Sequence, residues 1–289
     1  MQKESLRFEI AYYSGTGSTA LAANCLHRTL LQKGCSGSMR FISQEATSLG
    51  PHDTLFLLFP IHSFNAPEPV YQWIESIDAV DKTPAVVLAI SGGGEIPPNT
   101  AGSLSSIKRL EARGYVVTYD AMIMMPNNFW FKTDDLLAIK MIEVLPKKIE
   151  RIVDEVLSGV VLRPKRPLFD RAASRLGEAE KPLAGPFGKA IQVLETCTGC
   201  GICSNSCPAK NIILQDGRPV FEDRCHLCLG CIYRCPNKSL AAGKWKFVII
   251  KEGYDLKRLE ERVPLDEPVD IARLAKGYLW SGARKYLLE

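Results

Sequence analysis

The sequence lacks any apolar run long enough to cross a bilayer. Its longest apolar stretches, 55–61 and 85–90, are far shorter than the roughly 20 residues that a membrane-spanning helix needs. The N-terminus carries Lys3, Glu4 and Arg7, where a secretory signal would be apolar. The sequence therefore predicts no membrane span, no signal peptide and a cytoplasmic location.

A strong charge of one sign and low-complexity segments are also missing. The 36 basic and 32 acidic side chains leave a formal net charge of +4 in 289 residues, which gives no reason to expect a nucleic acid as partner. No Gly-X-Y period or long polar tract is present, so collagen-like and wholly disordered chains are excluded. With 46% hydrophobic side chains, the chain can bury a full core, and its length favours two or three domains.

Residues 1–160 alternate extended apolar runs with helical patterns, which is typical of a doubly wound parallel sheet with helices on both faces. Five strands are predicted, near 6–13, 38–42, 54–61, 84–91 and 115–125. Helices are predicted over 17–33, 68–77, 100–113 and 133–157. We therefore expect one α/β domain over residues 1–160, with a five-stranded parallel sheet.

A basic connection follows over residues 161–190. Four prolines, which exclude a continuous helix, interrupt it: Pro164, Pro167, Pro182 and Pro186. Part of it, 169–180, still fits a short helix. Residues 158–190 hold seven basic and three acidic side chains. Such a linker docks a neighbouring domain or an acidic partner, or it is simply a solvated connector.

Cysteine is concentrated in one short segment, since eight of the ten cysteines fall between Cys197 and Cys235. A reducing cytoplasm disfavours disulfides, which leaves metal ligation as the explanation. The spacing C-x2-C-x2-C-x3-C-P occurs twice, beginning at Cys197 and again at Cys225, and is typical of two [4Fe-4S] clusters. A pair of four-cysteine zinc sites is the alternative, but its usual two CxxC pairs fit this spacing poorly.

In this bacterial pattern the fourth cysteine of each run ligates the cluster of the other run. One cluster is therefore assigned to Cys197, Cys200, Cys203 and Cys235, and the other to Cys225, Cys228, Cys231 and Cys207. Because each cluster then joins both halves, this small α+β domain (191–242) is expected to need its metal to fold. Small hairpins are predicted at Asp216-Gly217 and at Gly243. His226, inside the second run, is either a surface side chain or a modulator of that cluster.

Between the first predicted strand and the first predicted helix lies the run Ser14, Gly15, Thr16, Gly17, Ser18 and Thr19. Its glycines allow close backbone approach, and a helix N-terminus offers amides to a phosphate. Since no Lys or Arg occurs over residues 14–27, hydrogen bonds and the helix dipole alone would hold the anion. A dinucleotide fingerprint matches only formally, because Phe41-Ile42 stands where an acidic residue is needed. A plain helix cap without a ligand is the other alternative.

This loop resembles the FMN phosphate loop of flavodoxins, and the pattern of residues 1–160 fits their fold. Together with the two cysteine runs, the chain to about residue 242 is similar to bacterial and archaeal fusions of a flavodoxin-like domain with a two-cluster ferredoxin, which are iron-sulfur flavoproteins. The resemblance implies FMN and two [4Fe-4S] clusters, with low-potential electron transfer in anaerobic metabolism. It also implies that the FMN ring lies over the loops after strands three and four, at Pro60, His62, Ser63, Phe64, Asn65, Gly92, Gly93 and Gly94.

These two loops differ from those of most flavodoxins, which stack aromatic residues on both faces of the flavin. The first loop offers Phe64 and His62, whereas residues 92–94 are all glycine. We expect one flavin face to be open to a substrate, to a nicotinamide or to the ferredoxin domain folded back over it. The run Phe129-Trp130-Phe131 is a candidate cover, with packing in the core or at a domain seam as the alternative.

Side chains suited to catalysis around the ring are few, namely His62, Asn65, Glu95, Asn127 and Asn128. The sequence therefore favours a carrier that passes electrons between a redox partner protein, such as a ferredoxin-like donor or an acceptor enzyme, and an acceptor. A flavin-dependent reductase of a small-molecule substrate is the alternative, and a metal-stabilised binding module is a third hypothesis. A homodimer is one oligomeric state that the sequence allows. Residues 243–289 are predicted to form a strand (246–251) and a helix (271–288), and they carry no chemical motif.

Overall fold

A parallel sheet organises the first half of the chain in a computed structural model, which describes residues 5–42, 48–177, 183–265 and 268–289. Its strands are β1 (Arg7–Tyr12), β2 (Ser36–Phe41), β3 (Thr54–Pro60), β4 (Thr83–Ser91) and β5 (Tyr115–Met124). They lie in the order β2-β1-β3-β4-β5 and all pair in parallel. This strand order is that of flavodoxin-like sheets, so the predicted fold class is confirmed.

Helices cover both faces of the sheet because two of its three inner strands, β3 and β4, are almost continuously apolar. Such strands are stable only when both faces are buried. One face packs against α1 (Ser18–Gln32) and α4 (Asp135–Leu157), and the other against α2 (Glu68–Ser76) and α3 (Leu104–Ala112). The predicted helix over 100–113 begins instead as a short 3-10 turn at Asn99–Ala101, which is followed by α3.

The basic linker is not a solvated connector along its first part, because it docks onto the sheet domain. Leu162 joins the edge of β5 through a parallel bridge to Tyr119. Arg166 pairs with Asp120 at 2.7 Å, and the two side chains are only 6% and 3% exposed. The linker then forms α5 (Leu168–Gly177). Pro182 and the last predicted helical residues, 178–180, lie outside the described residues.

The linker helix α5 is held against the loop that follows β3. The hydroxyl of Ser174 donates to Oδ1 of Asn65 at 2.8 Å, and the Asn65 amide donates in return to the carbonyl of Ser174 at 2.5 Å. The buried carboxylate of Asp170 accepts a hydrogen bond from Thr100. The linker therefore supports a loop of the sheet domain from outside.

The cysteine-rich segment forms a second, smaller α+β unit. Its elements are α6 (Ala184–Lys189), β6 (Gln192–Val193), α7 (Ile202–Asn205), β7 (Ile212–Gln215), β8 (Arg218–Phe221), α8 (Gly230–Tyr233) and β9 (Leu240–Ala241). The predicted hairpin at Asp216-Gly217 is confirmed, since β7 and β8 pair across it. The predicted hairpin at Gly243 is wrong, because β9 pairs with the distant β6 and a 3-10 helix, Gly243–Val248, follows it.

The C-terminal residues return to the sheet domain, and both predicted elements there need correction. No strand forms over 246–251, because the 3-10 helix Gly243–Val248 occupies the first half of that segment and a turn follows it. The predicted helix over 271–288 is interrupted by Gly277 at φ 80°, a conformation that glycine adopts readily. The described residues after 250 instead contain α9 (Leu256–Glu260), α10 (Ile271–Leu274), the 3-10 turn Tyr278–Trp280 and α11 (Ser281–Leu288).

No helix among the described residues combines the length and the apolar character that crossing a membrane requires.

Replacing Arg166 by Met is expected to lower the free energy of unfolding by about 3 kcal/mol, because it leaves the buried Asp120 carboxylate without its cation. The matched control is Arg163→Met, since Arg163 pairs with Glu111 at 2.9 Å on the surface. Surface pairs contribute at most about 1 kcal/mol. Urea unfolding of the full chain, followed by circular dichroism, measures both variants. Equal losses would contradict the buried docking of the linker.

Candidate functional site

A cavity of about 530 Å³ lies at the carboxyl ends of β1, β3, β4 and β5. These ends meet at one edge of a parallel sheet, beside the point where the strand order reverses, which is where such folds bind ligands. Eleven of the residues predicted to bind FMN line it: Ser14, Gly15, Thr16, Ser18, Thr19, Pro60, His62, Ser63, Phe64, Gly92 and Gly93.

Three residues predicted to bind FMN do not line this cavity, and each has a structural role instead. Gly17 precedes α1 with φ 113°, a left-handed conformation that favours glycine. Asn65 is fully buried and bonds to the linker helix. Gly94, at φ 73°, lies against Gly282 of α11.

The cavity is also lined by residues that the sequence did not identify as binding residues. Beyond the predicted loops it is lined by Ile96 to Asn99, Met125 and Pro126, Leu227 to Leu229, and Tyr278 and Leu279. The last two groups come from the cysteine-rich unit and the C-terminal segment. No local sequence pattern marks them, because their contribution depends on how distant parts of the chain pack.

The hydroxyls of the loop over residues 14–19 are held in place by neighbouring groups. Ser14 accepts a hydrogen bond from the amide of Ala20 at 3.2 Å, and Thr16 accepts one from the Asn128 side chain at 2.7 Å. Behind them, the first amides of α1 lack intrahelical acceptors, as at any helix start. None of the described residues that line the cavity is Lys, Arg, Asp or Glu. An anion here would be bound by hydrogen bonds and the helix dipole.

The candidate catalytic residues have mostly structural contacts. Burial, together with the nearby His226 ring, lowers the pKa of His62 to about 4, so its imidazole is neutral at neutral pH. The Asn127 side chain donates to the carbonyls of Phe129 and Phe131 at 2.6 and 2.7 Å. Glu95 lies outside the cavity lining and pairs with Lys285 at 3.8 Å.

The aromatic run 129–131 lines the cavity and also lies at a domain seam. All three residues belong to the cavity lining, as expected for a cover. The backbone amide of Trp130 donates to the carbonyl of Val248 at 3.0 Å, and the Phe131 ring meets Trp280 edge-on at 5.8 Å. Both sequence hypotheses for this run therefore describe part of its environment.

The cysteines form two groups, each around its own small cavity. The first is lined by Cys197, Cys200, Cys203 and Cys235, and the second by Cys207, Cys225, Cys228 and Cys231. These are the two sets of the crossed assignment, and the binding of iron to them stays a prediction. Among the described residues, no three His, Cys, Asp or Glu side chains lie close enough to hold a single metal ion.

The surroundings of the thiols fit a cluster better than free thiols. Backbone amides donate to the sulfurs of Cys207, Cys225 and Cys235, at 3.4, 3.4 and 3.2 Å, which are contacts that stabilise cluster sulfurs and thiolates. Burial raises the pKa of the Cys225 thiol to about 12. A buried thiolate needs a positive partner, and a bound iron-sulfur cluster would supply one.

The second cysteine group lies directly against the loop over residues 14–19. A Cβ atom added at Gly15 would come within 2.5 Å of the Cys228 Cβ, and one added at Gly230 would come within 2.7 Å of the Gly15 carbonyl oxygen. Cys228 itself lines the 530 Å³ cavity. The cysteine-rich unit, one of the three occupants that the sequence left open, therefore borders this cavity beside the loop over residues 14–19.

Polar contacts hold this seam together. The hydroxyl of Tyr13 lies 2.9 Å from Nδ1 of His226, so His226 is a partly buried seam residue and not a simple surface side chain. The hydroxyl of Tyr233 donates to the carbonyl of Asn128 at 2.9 Å. Cys200 lies elsewhere and is solvent-exposed. One cysteine group is therefore at the seam, and the other reaches the surface.

A comparison with known protein families finds a match over the cysteine-rich unit. Residues 189–242 match a family described as a 4Fe-4S dicluster domain, which includes both cysteine runs. A search of curated proteins finds no match.

Solved flavodoxin structures match the first half at low identity. A putative flavoprotein from Bacteroides uniformis is 14% identical, with a TM-score of 0.36, over 52% of this chain and 99% of its own. Flavodoxin 2 from Bacillus cereus is 15% identical, with a TM-score of 0.39, over 53% and 98%. A WrbA-like flavodoxin from Agrobacterium tumefaciens is 12% identical, with a TM-score of 0.37, over 54% and 99%.

Replacing Gly15 by Ala is expected to lower the free energy of unfolding by about 1–3 kcal/mol, as overpacking does, because the new methyl group overlaps Cys228. The matched control is Gly50→Ala, since a Cβ there meets nothing within 4 Å. Urea unfolding of the full chain measures both variants. A Gly15 variant as stable as the control would contradict the close seam.

Proposed function

We propose that this chain, which joins a flavodoxin-like domain to a 4Fe-4S dicluster domain, binds FMN and two [4Fe-4S] clusters and transfers electrons between a redox partner protein and an acceptor. The observation that carries the proposal is the contact between Gly15 and Cys228. Because of this contact, Cys228, a predicted cluster ligand, is part of the wall of the proposed flavin cavity. Bound flavin exchanges one or two electrons and each cluster exchanges one, so the fusion would connect hydride-type and single-electron chemistry.

The size and the lining of the proposed flavin cavity support FMN as its ligand. Its volume falls within the range of about 300–1,000 Å³ that is usual for cofactor sites. Ser14, Thr16 and Thr19, with the first amides of α1, would hold the phosphate without a cationic side chain. The largely apolar residues of the loops after β3, β4 and β5 would surround the ring.

The different exposure of the two cysteine groups supports an order of electron transfer. Cys228 lines the flavin cavity, so the cluster of the second group would exchange electrons with FMN. Cys200 of the first group is exposed, so that cluster would meet the redox partner. Ile202 and Leu214, both exposed, lie beside it and offer apolar contact area to a transient partner.

A second cavity favours the alternative function, a reductase of a small-molecule substrate. It measures about 1210 Å³ and lies between the two domains. It shares part of its lining with the flavin cavity, through His62, Trp130 and Leu227. The rings of Trp245 and Phe247 line its outer part, so its occupant would be an apolar or aromatic molecule.

Protein purified without air is expected to contain about eight irons and one FMN per chain. The Cys207→Ala variant is expected to lose the cluster of the second group, and about half of the iron, because Cys207 lies among Cys225, Cys228 and Cys231. Cys25→Ala, which removes a thiol outside both runs, is the matched control. Iron and sulfide analysis with electron paramagnetic resonance of the reduced protein measures both. Loss of the first cluster alone would contradict the crossed assignment, and zinc without iron would contradict the function.

A reoxidation assay separates the carrier from the reductase. Dithionite-reduced protein is expected to pass electrons rapidly to a one-electron carrier protein and only slowly to quinones, nitro compounds and enoates. Phe247→Ala is expected to leave these rates unchanged within about twofold, and Phe169→Ala, an exposed aromatic on α5, is its matched control. Turnover of one small acceptor, with a KM that Phe247→Ala alone raises severalfold, would instead show the reductase.

A further inference from the structure

The loop after β4 gives the flavin cavity a wall without side chains. Gly92 and Gly93 line the cavity, and neither has an atom beyond the backbone. A Cβ added at Gly92 would come within 2.6 Å of Oδ1 of Asn127, so this part of the loop is closely packed and has no room for a larger residue. Any ring that covers a ligand on this side has to come from another part of the chain.

The C-terminal segment, residues 268–289, is anchored beside this loop. Ile271, Ala275 and Ala283 pack into one apolar cluster with Met124 of β5 and Met141 of α4. These contacts fix the segment to the sheet domain independently of any ligand, because apolar burial needs no further partner.

From this anchor the segment passes over the loop after β4 so closely that the two backbones are in contact. A Cβ added at Gly282 would come within 2.6 Å of the Gly93 carbonyl oxygen, so α11 touches the loop where only glycine fits. Lys285 pairs with Glu95 at 3.8 Å on one side. On the other side, Trp280 meets the ring of Phe131. The segment therefore joins the loop after β4 to the loop after β5.

Two large side chains of this segment line the cavity. Tyr278 and Leu279 both belong to its wall, and they are 62% and 57% exposed. The hydroxyl of Tyr278 donates to the carbonyl of Pro97 at 3.3 Å, which ties the ring to the rim of the cavity. A planar ring bound in the cavity would cover part of this exposed apolar surface and remove it from water.

We propose that Tyr278 is a flavin-binding residue, which the C-terminal segment supplies to the side of the cavity where residues 92 and 93 have no side chain. This inference rests on the proposed function, because it requires FMN in the cavity at the carboxyl ends of the strands. It gives the C-terminal segment a role in cofactor binding. It also leaves the side next to the cysteine-rich unit as the route by which electrons reach the flavin.

FMN release and rebinding by the full-length, cluster-loaded protein tests this role. Tyr278→Ala is expected to weaken FMN binding by about twofold to tenfold, the range for one aromatic pair, and to raise the fluorescence of the bound flavin. Tyr278→Phe is expected to keep the affinity near that of the unmodified protein, because the ring remains. Phe169→Ala removes another exposed aromatic ring, one that does not line the cavity, and is the matched control. Iron content is expected to stay constant in all variants.

A second variant tests the placement of the segment. Gly282→Ala is expected to move α11 away from the Gly93 carbonyl and to weaken FMN binding as Tyr278→Ala does. If the unmodified protein binds FMN and Tyr278→Ala matches it in affinity and fluorescence, the role of Tyr278 is overturned while the proposed function stands. If the unmodified protein takes up no FMN under these conditions, the proposed function is overturned, and the role of Tyr278 with it.

Discussion

The close contact between the loop over residues 14–19 and the second cysteine run determines how the rest of the molecule is arranged. Glycine stands on both sides of it, at Gly15 and Gly230, and a single added methyl group on either side would overlap its neighbour. The hydrogen bonds of Tyr13 and Tyr233 continue the same seam. Because no side chain separates Gly15 from Cys228, Cys228 belongs to the cavity wall. Such a contact would fix the distance between the two proposed redox sites.

The sheet and the grouping of the cysteines were predictable from the sequence because both depend on local signals. Apolar periodicity identified all five strands, and the spacing of the two runs predicted which thiols lie together. The strand predicted over 246–251 was wrong because Val248 is buried in the apolar cluster of the cysteine-rich unit and not in a sheet. Burial alone does not distinguish these two environments in a sequence. The docking of Arg166 and the position of Tyr278 depend on contacts between residues far apart in the chain, which no sequence period records.

The described lining of the proposed flavin cavity carries no charged Lys, Arg, Asp or Glu side chain, and hydrogen bonds from neighbouring residues hold its loops in place. Its hydroxyls are bonded to neighbours such as Asn128, and Asn127 fixes the loop after β5 through two carbonyls. These bonds occupy most of the polar groups that the sequence offered as catalytic candidates. Their role in the structure is to hold the walls, which suits a site whose ligand does the chemistry.

The seating of the linker helix on the loop after β3 limits how this protein can be divided. A Cβ added at Gly177 would overlap the carbonyl oxygen of Ser63, a residue of the cavity wall. The end of the connector is thus a structural support for the cofactor pocket as well as a tether. Grafting the cysteine-rich unit onto another flavodoxin by cutting at residue 160 would remove that support. The two halves are therefore expected to be inherited, and to be engineered, as one piece rather than as interchangeable modules.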